Sequence, residues 1–94
     1  MHASVRTYRI MSDVERTAAT VSADLLPVIR DVPGLVSYQL VDIGSDLISS
    51  ITVTESEEAM RAVDEAAAAF VASHDSADVG ERVDIREGAI ILQL

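Results

Sequence analysis

Residues 25–40 read LLPVIRDVPGLVSYQL, and this stretch restricts the fold more than any other. Apolar residues at helical spacing run into Asp31-Val32-Pro33-Gly34 and emerge as a run rich in β-formers. Pro33 fixes one φ near −65° and Gly34 supplies a positive φ, which together meet the demands of a type II turn. A helix is therefore delivered directly into a strand. The rest of the chain must supply what packs around that joint.

Upstream, Ala3 to Ile10 reads as a strand, with Val5, Tyr8 and Ile10 interleaved with Arg6 and Arg9. Ser12 and Glu15 have the S-x-x-E spacing of a capping box, so a helix is expected to start at Ser12. Val14, Ala18, Val21, Leu25 and Val28 would form its apolar face, with Pro27 loosening the last turn. Downstream, Leu35 to Val41 is the second strand, and residues 42–46 are a short glycine-containing turn consistent with a hairpin. Leu47 to Thr54, rich in β-branched residues, is the third strand. Thr54 or Ser56 caps a second helix that reaches about Ser73, with Met60, Val63, Ala67, Phe70 and His74 on one face. Asp75 to Gly80 is a polar connection. Val83 to Leu94 is the last strand, bulged at Gly88 and apolar on both faces at Ala89-Ile90-Ile91-Leu92.

The order β-α-β-β-α-β is the ferredoxin-like arrangement, an α+β fold with a four-stranded antiparallel sheet. Residues 1–94 are expected to form one domain, without linkers or low-complexity segments. Both helices cover one sheet face. The other is left bare, and a homodimer with its sheets face to face would cover it.

Composition narrows the function classes. The chain carries 16 acidic and 7 basic residues for a net charge of −9, and every basic residue is arginine. Such a chain repels phosphate backbones, so neither nucleic acid nor an anionic membrane is an expected partner. The absence of cysteine excludes disulfides, thiolate metal sites and a cysteine nucleophile. The N-terminal MHASVRTYRI has no apolar signal core, and the longest apolar run, Ala66 to Ala72, is too short to span a bilayer. A cytoplasmic protein is expected.

Three features resemble the antibiotic biosynthesis monooxygenase-like group of the dimeric α/β-barrel superfamily. They are the Pro-Gly turn entering a strand in Pro33-Gly34-Leu35-Val36-Ser37-Tyr38, the strand running into an acidic helix start from Val53 to Ala59, and the apolar final strand after Gly88. The resemblance spans nearly the whole chain. It implies a homodimeric α/β barrel that binds a hydrophobic or aromatic small molecule between sheet and helices. Some members oxidise such compounds without metal or flavin, and some open haem. By position, His74 matches the histidine that haem-degrading members use as an iron ligand. The second helix has Arg61 and Asp64 where polar functional residues often lie. The chain departs from the group in having no Trp and no Asn.

His74, Tyr38 and Arg6 are the candidate catalytic or ligand-contacting residues. A neutral imidazole can ligate iron or act as a base, whereas a histidine ending a helix also suits the helix dipole. Tyr38 and Tyr8 are either cavity-lining hydroxyls or packed rings. Arg6 and Arg9 either hold an anionic oxygen in a cavity or make salt bridges with nearby acids. The pairs Asp42/Asp46 and Asp75/Asp78 lack the spacing of a calcium loop, and no metal or cofactor is expected. No phosphate-binding glycine loop, H-E-x-x-H or G-x-S-x-G occurs. Two functions follow. The first is a cofactor-independent, monooxygenase-like enzyme. The alternative is a non-catalytic dimeric module that binds a ligand or a protein, as the alanine-rich second helix would allow by packing close to the sheet.

Overall fold

The computed structural model describes residues 1–94. Strands β1 (His2–Arg9), β2 (Leu35–Gly44), β3 (Leu47–Thr54) and β4 (Glu81–Ala89) form one antiparallel sheet in the order β2-β3-β1-β4. The first helical run consists of α1 (Val14–Thr20), a π-helical turn (Val21–Leu25) and α2 (Leu26–Ile29). Helix α3 (Glu57–Ala72) and the short α4 (Ser76–Val79) follow the hairpin. This is the expected β-α-β-β-α-β order.

The first helical run departs from expectation in its cap and in its buried face. Asp13, not Ser12, caps α1, its carboxylate accepting the Arg16 amide at 2.7 Å. Ser12 instead donates to the Ala77 carbonyl at 2.6 Å, tying the start of α1 to α4. The buried residues are Thr17, Val21, Leu25 and Ile29, while Val28 is 55% exposed. Pro27 explains the change of face. A proline ring clashes with the carbonyl four residues back in a regular α-helix. The turn before it widens to a π turn, with the Leu26 amide bonded to the Val21 carbonyl. Widening that turn keeps residues four apart in register and carries Ile29, rather than Val28, onto the core.

The turn into β2 forms as expected. The Leu35 amide donates to the Val32 carbonyl at 3.2 Å and Gly34 has φ 93°. A Cβ at Gly34 would meet the Ala59 Cβ at 2.9 Å, so glycine is required by both backbone and space. Strand β2 is longer than expected because the hairpin closes tightly on Ser45 and Asp46, both with positive φ.

Two bulges decide which side chains face the helices. The β2–β3 register shifts between Leu35 and Ser37, which turns Val36 outward and places Leu35, Tyr38 and Leu40 on the helix side. The β1–β4 register shifts between Thr7 and Tyr8, so Tyr8 pairs with Arg82 and Arg6 with Ile85. The irregularity is therefore at Val83, not at the expected Gly88. Strand β4 also ends at Ala89 rather than Leu94. Beyond the bond from the Ile90 amide to the Met1 carbonyl, β1 offers no further partner, and Ile91, Leu92 and Leu94 stand in solvent.

The core lies between the first helical run, α3 and one sheet face. Val21, Leu25, Ile29, Val63, Phe70 and Val79 are its buried residues. Ser56 caps α3 by accepting the Ala59 amide at 3.1 Å, and the expected stripe Met60, Val63, Ala67 and Phe70 is buried. The opposite sheet face carries Val5, Val41, Ile51 and Val53 and is covered by no helix; Val5 is 41% exposed. No helix is long and apolar enough to cross a membrane.

Candidate functional site

Helix α3 has two flanks. On one it meets the first helical run. On the other it overhangs β1 and β4, and there a cleft of about 350 Å³ opens, within the usual size range of ligand sites. Ala67, Ala68, Val71 and Ala72 form its apolar wall. Arg6, Tyr8, Asp64 and Arg82 supply its polar groups. The cleft exists because methyl side chains on α3 overhang an edge strand that no second helix covers.

Arg6 is the most constrained of these residues. It projects from β1 toward the helices, 6% exposed, and a terminal guanidinium nitrogen donates to Asp64 Oδ1 on α3. The same nitrogen lies 4.0 Å from Glu87 Oε2 on β4. Its Nε is buried without a hydrogen-bond partner. Burial and a hydrogen bond with Glu87 raise Asp64 to about 6, against the pull of Arg6. Two carboxylates thus stand beside one guanidinium, and Asp64 is the one pushed up. A second, more polar cleft of about 270 Å³ lies beyond this cluster, between His2, Arg61 and Glu87.

Tyr38 is on β2, facing the helices. Burial, reinforced by Tyr8, pushes its hydroxyl up to about 12, with Ser50 and Arg6 partly opposing. It therefore stays protonated at neutral pH. Arg6, Tyr8, Tyr38 and Phe70 surround the innermost space between sheet and helices, but that space is only about 20 Å³. The interior is filled. Tyr38 also borders a surface groove of about 390 Å³ along Leu26 and Pro27. That groove is slightly larger than the Arg6 cleft but contains no buried charge.

His74 is not brought to this site. It lies on the far flank, where its Nε2 is 2.8 Å from Asp24 Oδ2 and its Nδ1 is 2.7 Å from the Phe70 carbonyl. Both ring nitrogens face oxygen acceptors, an arrangement only the doubly protonated ring satisfies completely. The bond to Asp24, then that to Phe70, raises its pKa. Neither nitrogen is free to ligate a metal in this arrangement. Arg6 and Tyr38 thus approach one another at the core, and His74 joins α3 to the first helical run.

The acidic pairs serve local roles. Asp42 accepts the Gly44 amide at 3.0 Å, and Asp78 pairs with Arg16 at 2.6 Å. Arg82 and Glu87 were missed as site residues. Strict alternation along β4 would set Arg82 on the opposite face from Ile85, and only the bulge at Val83 brings the two to the same side. No sequence signal marks that bulge.

No family model matches the chain, and no curated protein matches its sequence. Solved structures do match its fold. The haem degrader MhuD from Mycobacterium tuberculosis, solved with two haems in its active site, aligns over 100% of this chain and 99% of its own, with a TM-score of 0.71 and 20% identity. SnoaB from Streptomyces nogalater, a cofactor-independent oxygenase, aligns over 99% and 95%, with a TM-score of 0.71 and 13% identity. A monooxygenase from ActVA-Orf6 of Streptomyces coelicolor, solved with the ligand nanaomycin D, aligns over 98% and 92%, with a TM-score of 0.63 and 19% identity. The chain has the ferredoxin-like fold that this haem degrader and these oxygenases share.

Proposed function

We propose that the chain is a cofactor-independent, monooxygenase-like enzyme that binds a hydrophobic or aromatic small molecule in the cleft between α3 and β4. The observation that carries this reading is a ligand-sized cleft with an alanine wall and a buried, incompletely bonded Arg6 at its floor. The shared fold with SnoaB and the ActVA-Orf6 monooxygenase supports it. Without a flavin or metal, an oxygenase must use the substrate as its own electron donor to O2. The phenol loses its proton to solvent, one atom of O2 enters a ring carbon and the other leaves as water with two hydrogens from the substrate. The protein's part is then to orient the ring, exclude bulk water and stabilise the phenolate oxygen. Arg6 suits that last role, and Tyr8 and Arg82 frame the entrance. Tyr38, protonated at neutral pH, is a hydrogen-bond donor beneath the site rather than a base.

Oxygen consumption with naphthalene diols and hydroxyanthracenes, with no added flavin or metal, tests this. Turnover above the uncatalysed rate that falls when Ala68→Leu fills the cleft is expected. Binding without turnover would favour the second reading, a non-catalytic ligand-binding module, which the filled interior of only about 20 Å³ supports. Haem as substrate is the weaker variant, because His74 is held by Asp24 and Phe70. A Soret shift on titration with haemin that disappears in His74→Ala would restore it.

The proposal includes a homodimer in the cytoplasm. Two sheets packing through Val5, Val41, Ile51 and Val53 would cover the bare face, and a partner would also shelter Ile91 and Leu92. Sedimentation equilibrium tests it: a mass twice that of the chain is expected, reduced to the monomer by Val5→Asp.

A further inference from the structure

We infer that the α3–β4 cleft selects an anionic aromatic ligand, binding its carboxylate or phenolate oxygen through Arg6, and that Asp64 occupies the guanidinium until that ligand displaces it. The inference rests on the ligand-cleft reading above and adds the charge of the ligand and the residue that competes with it.

The donors come first. A guanidinium presents five N–H groups in a fixed fork suited to two parallel bonds with one carboxylate. Here Asp64 accepts from one terminal nitrogen, Glu87 stands 4.0 Å from the same atom, and Nε is buried and unpaired. With a single hydrogen bond made by its five N–H groups, the buried guanidinium keeps donor capacity for an anionic oxygen that takes the place of Asp64. Arg82 borders the same cleft and has no carboxylate within salt-bridge distance. In a chain of net charge −9 with seven arginines, two converging on one cleft make it a local exception to the overall field. The wall of Ala67, Ala68, Val71 and Ala72 is aliphatic, and Tyr8 beside it offers an aromatic face, surfaces on which a ring can pack.

The competitor comes second. Asp64 sits between this cleft and the polar one beside it. Around it stand Arg6, Tyr8 and His2 on β1, Glu87 and Arg82 on β4, and Glu57 and Arg61 on its own helix. Glu87 and burial raise its pKa to about 6, so below that pH the carboxyl is protonated and its hold on Arg6 weakens. An anionic ligand that keeps its charge should therefore bind more tightly as pH falls through 6. His2 borders the polar cleft beside Asp64, so its contribution must be controlled.

The test is calorimetric titration of the full chain with 1-naphthoate and with its neutral isostere 1-naphthamide, at pH values on either side of about 6. Naphthoate is expected to bind roughly tenfold more tightly than the amide, the scale of one charge-assisted hydrogen bond. Arg6→Gln should erase that preference. If Arg6→Gln fails to fold by circular dichroism, Arg82→Gln should still reduce the preference about threefold. Asp64→Asn should tighten naphthoate by roughly three- to tenfold and abolish its pH response, whereas His2→Gln should preserve that response. Equal binding of the two probes overturns the inference but leaves the cleft as a ligand site. So does weaker naphthoate binding in Asp64→Asn. Binding of neither probe overturns the inference and the ligand-cleft reading together.

Discussion

The two flanks of α3 use one helix for opposite ends. Toward the first helical run, Val63 and Phe70 pack against Val21, Leu25 and Ile29, and His74 clasps Asp24. Toward β4, Ala68 and Ala72 face an edge strand whose inward groups are Arg82, Ile85 and Glu87. The first flank is filled at its core by large side chains, leaving only a surface cleft of about 340 Å³ beside Val28, Ala66, Ala69 and His74; the second, of about 350 Å³, sets methyl groups opposite the buried charge of Arg6. What separates them is the partner element. A helix supplies branched side chains at close range, whereas a lone edge strand cannot. In this molecule the large core side chains and the charged cluster thus lie mainly on opposite flanks of one helix, with Arg6, Ala67 and Val71 reaching both the core and the cleft.

The largest effect should come from the filled flank. Ile29→Ala removes a side chain that is 1% exposed and should cost about 2–5 kcal/mol in urea unfolding. A loss below about 1 kcal/mol would mean the closed flank is less tightly packed than described. The counterpart on the open flank is Ala68→Leu. It should change stability by less than about 1 kcal/mol, because the added side chain enters open space, yet it should abolish ligand binding. If instead it destabilised as strongly as Ile29→Ala, the two flanks would not differ in kind.

The pH dependence of stability sharpens the same contrast, because each flank has one perturbed group and both are raised. Asp64 has a folded pKa of about 6 against 3.8 for an ordinary aspartate. The folded state therefore holds the proton more firmly, and the stability this contributes is present below pH 3.8 and is lost as pH rises through about 6. Thermal melts should show that slope in the wild type and a flatter profile in Asp64→Asn. On the filled flank, the raised His74 contributes stability that is complete below 6.5, its unfolded value, and is lost as pH rises through the folded one. His74→Gln and Asp24→Asn should each remove that loss. Because the pair is partly solvated this is the smallest of the expected effects, and an unchanged slope above pH 6.5 in both variants would contradict the clasp.

The fold was readable where a signal was local. The Pro33-Gly34 turn, the stripe from Met60 to Phe70 and the β-branched third strand each depend on neighbours in sequence. Errors arose where one residue changes the phase of its element. Pro27 widens a helical turn and exchanges Val28 for Ile29 in the core. The bulge at Val36 turns Leu35 inward, and the bulge at Val83 does the same for Arg82. A one-residue slip in a strand reverses every side chain beyond it, which is why Arg82 was hidden. Arg6 and Tyr8 were identifiable as charged or polar groups on the first strand. Glu87 was not, because its role comes from pairing β4 with β1. His74 was legible as the end of an apolar stripe, but its partner Asp24 is 50 residues away in sequence.

The most direct test of the account is to map where an aromatic ligand binds, by following backbone amide resonances of the labelled chain during titration with 1-naphthol. The account predicts shifts concentrated at Ala68, Ala72, Tyr8 and Arg82, with little change at Val21, Leu25 and His74. Shifts centred on Val28 and His74, or along Leu26 and Pro27, would place the ligand away from the Arg6 cleft and contradict the division of labour between the two flanks.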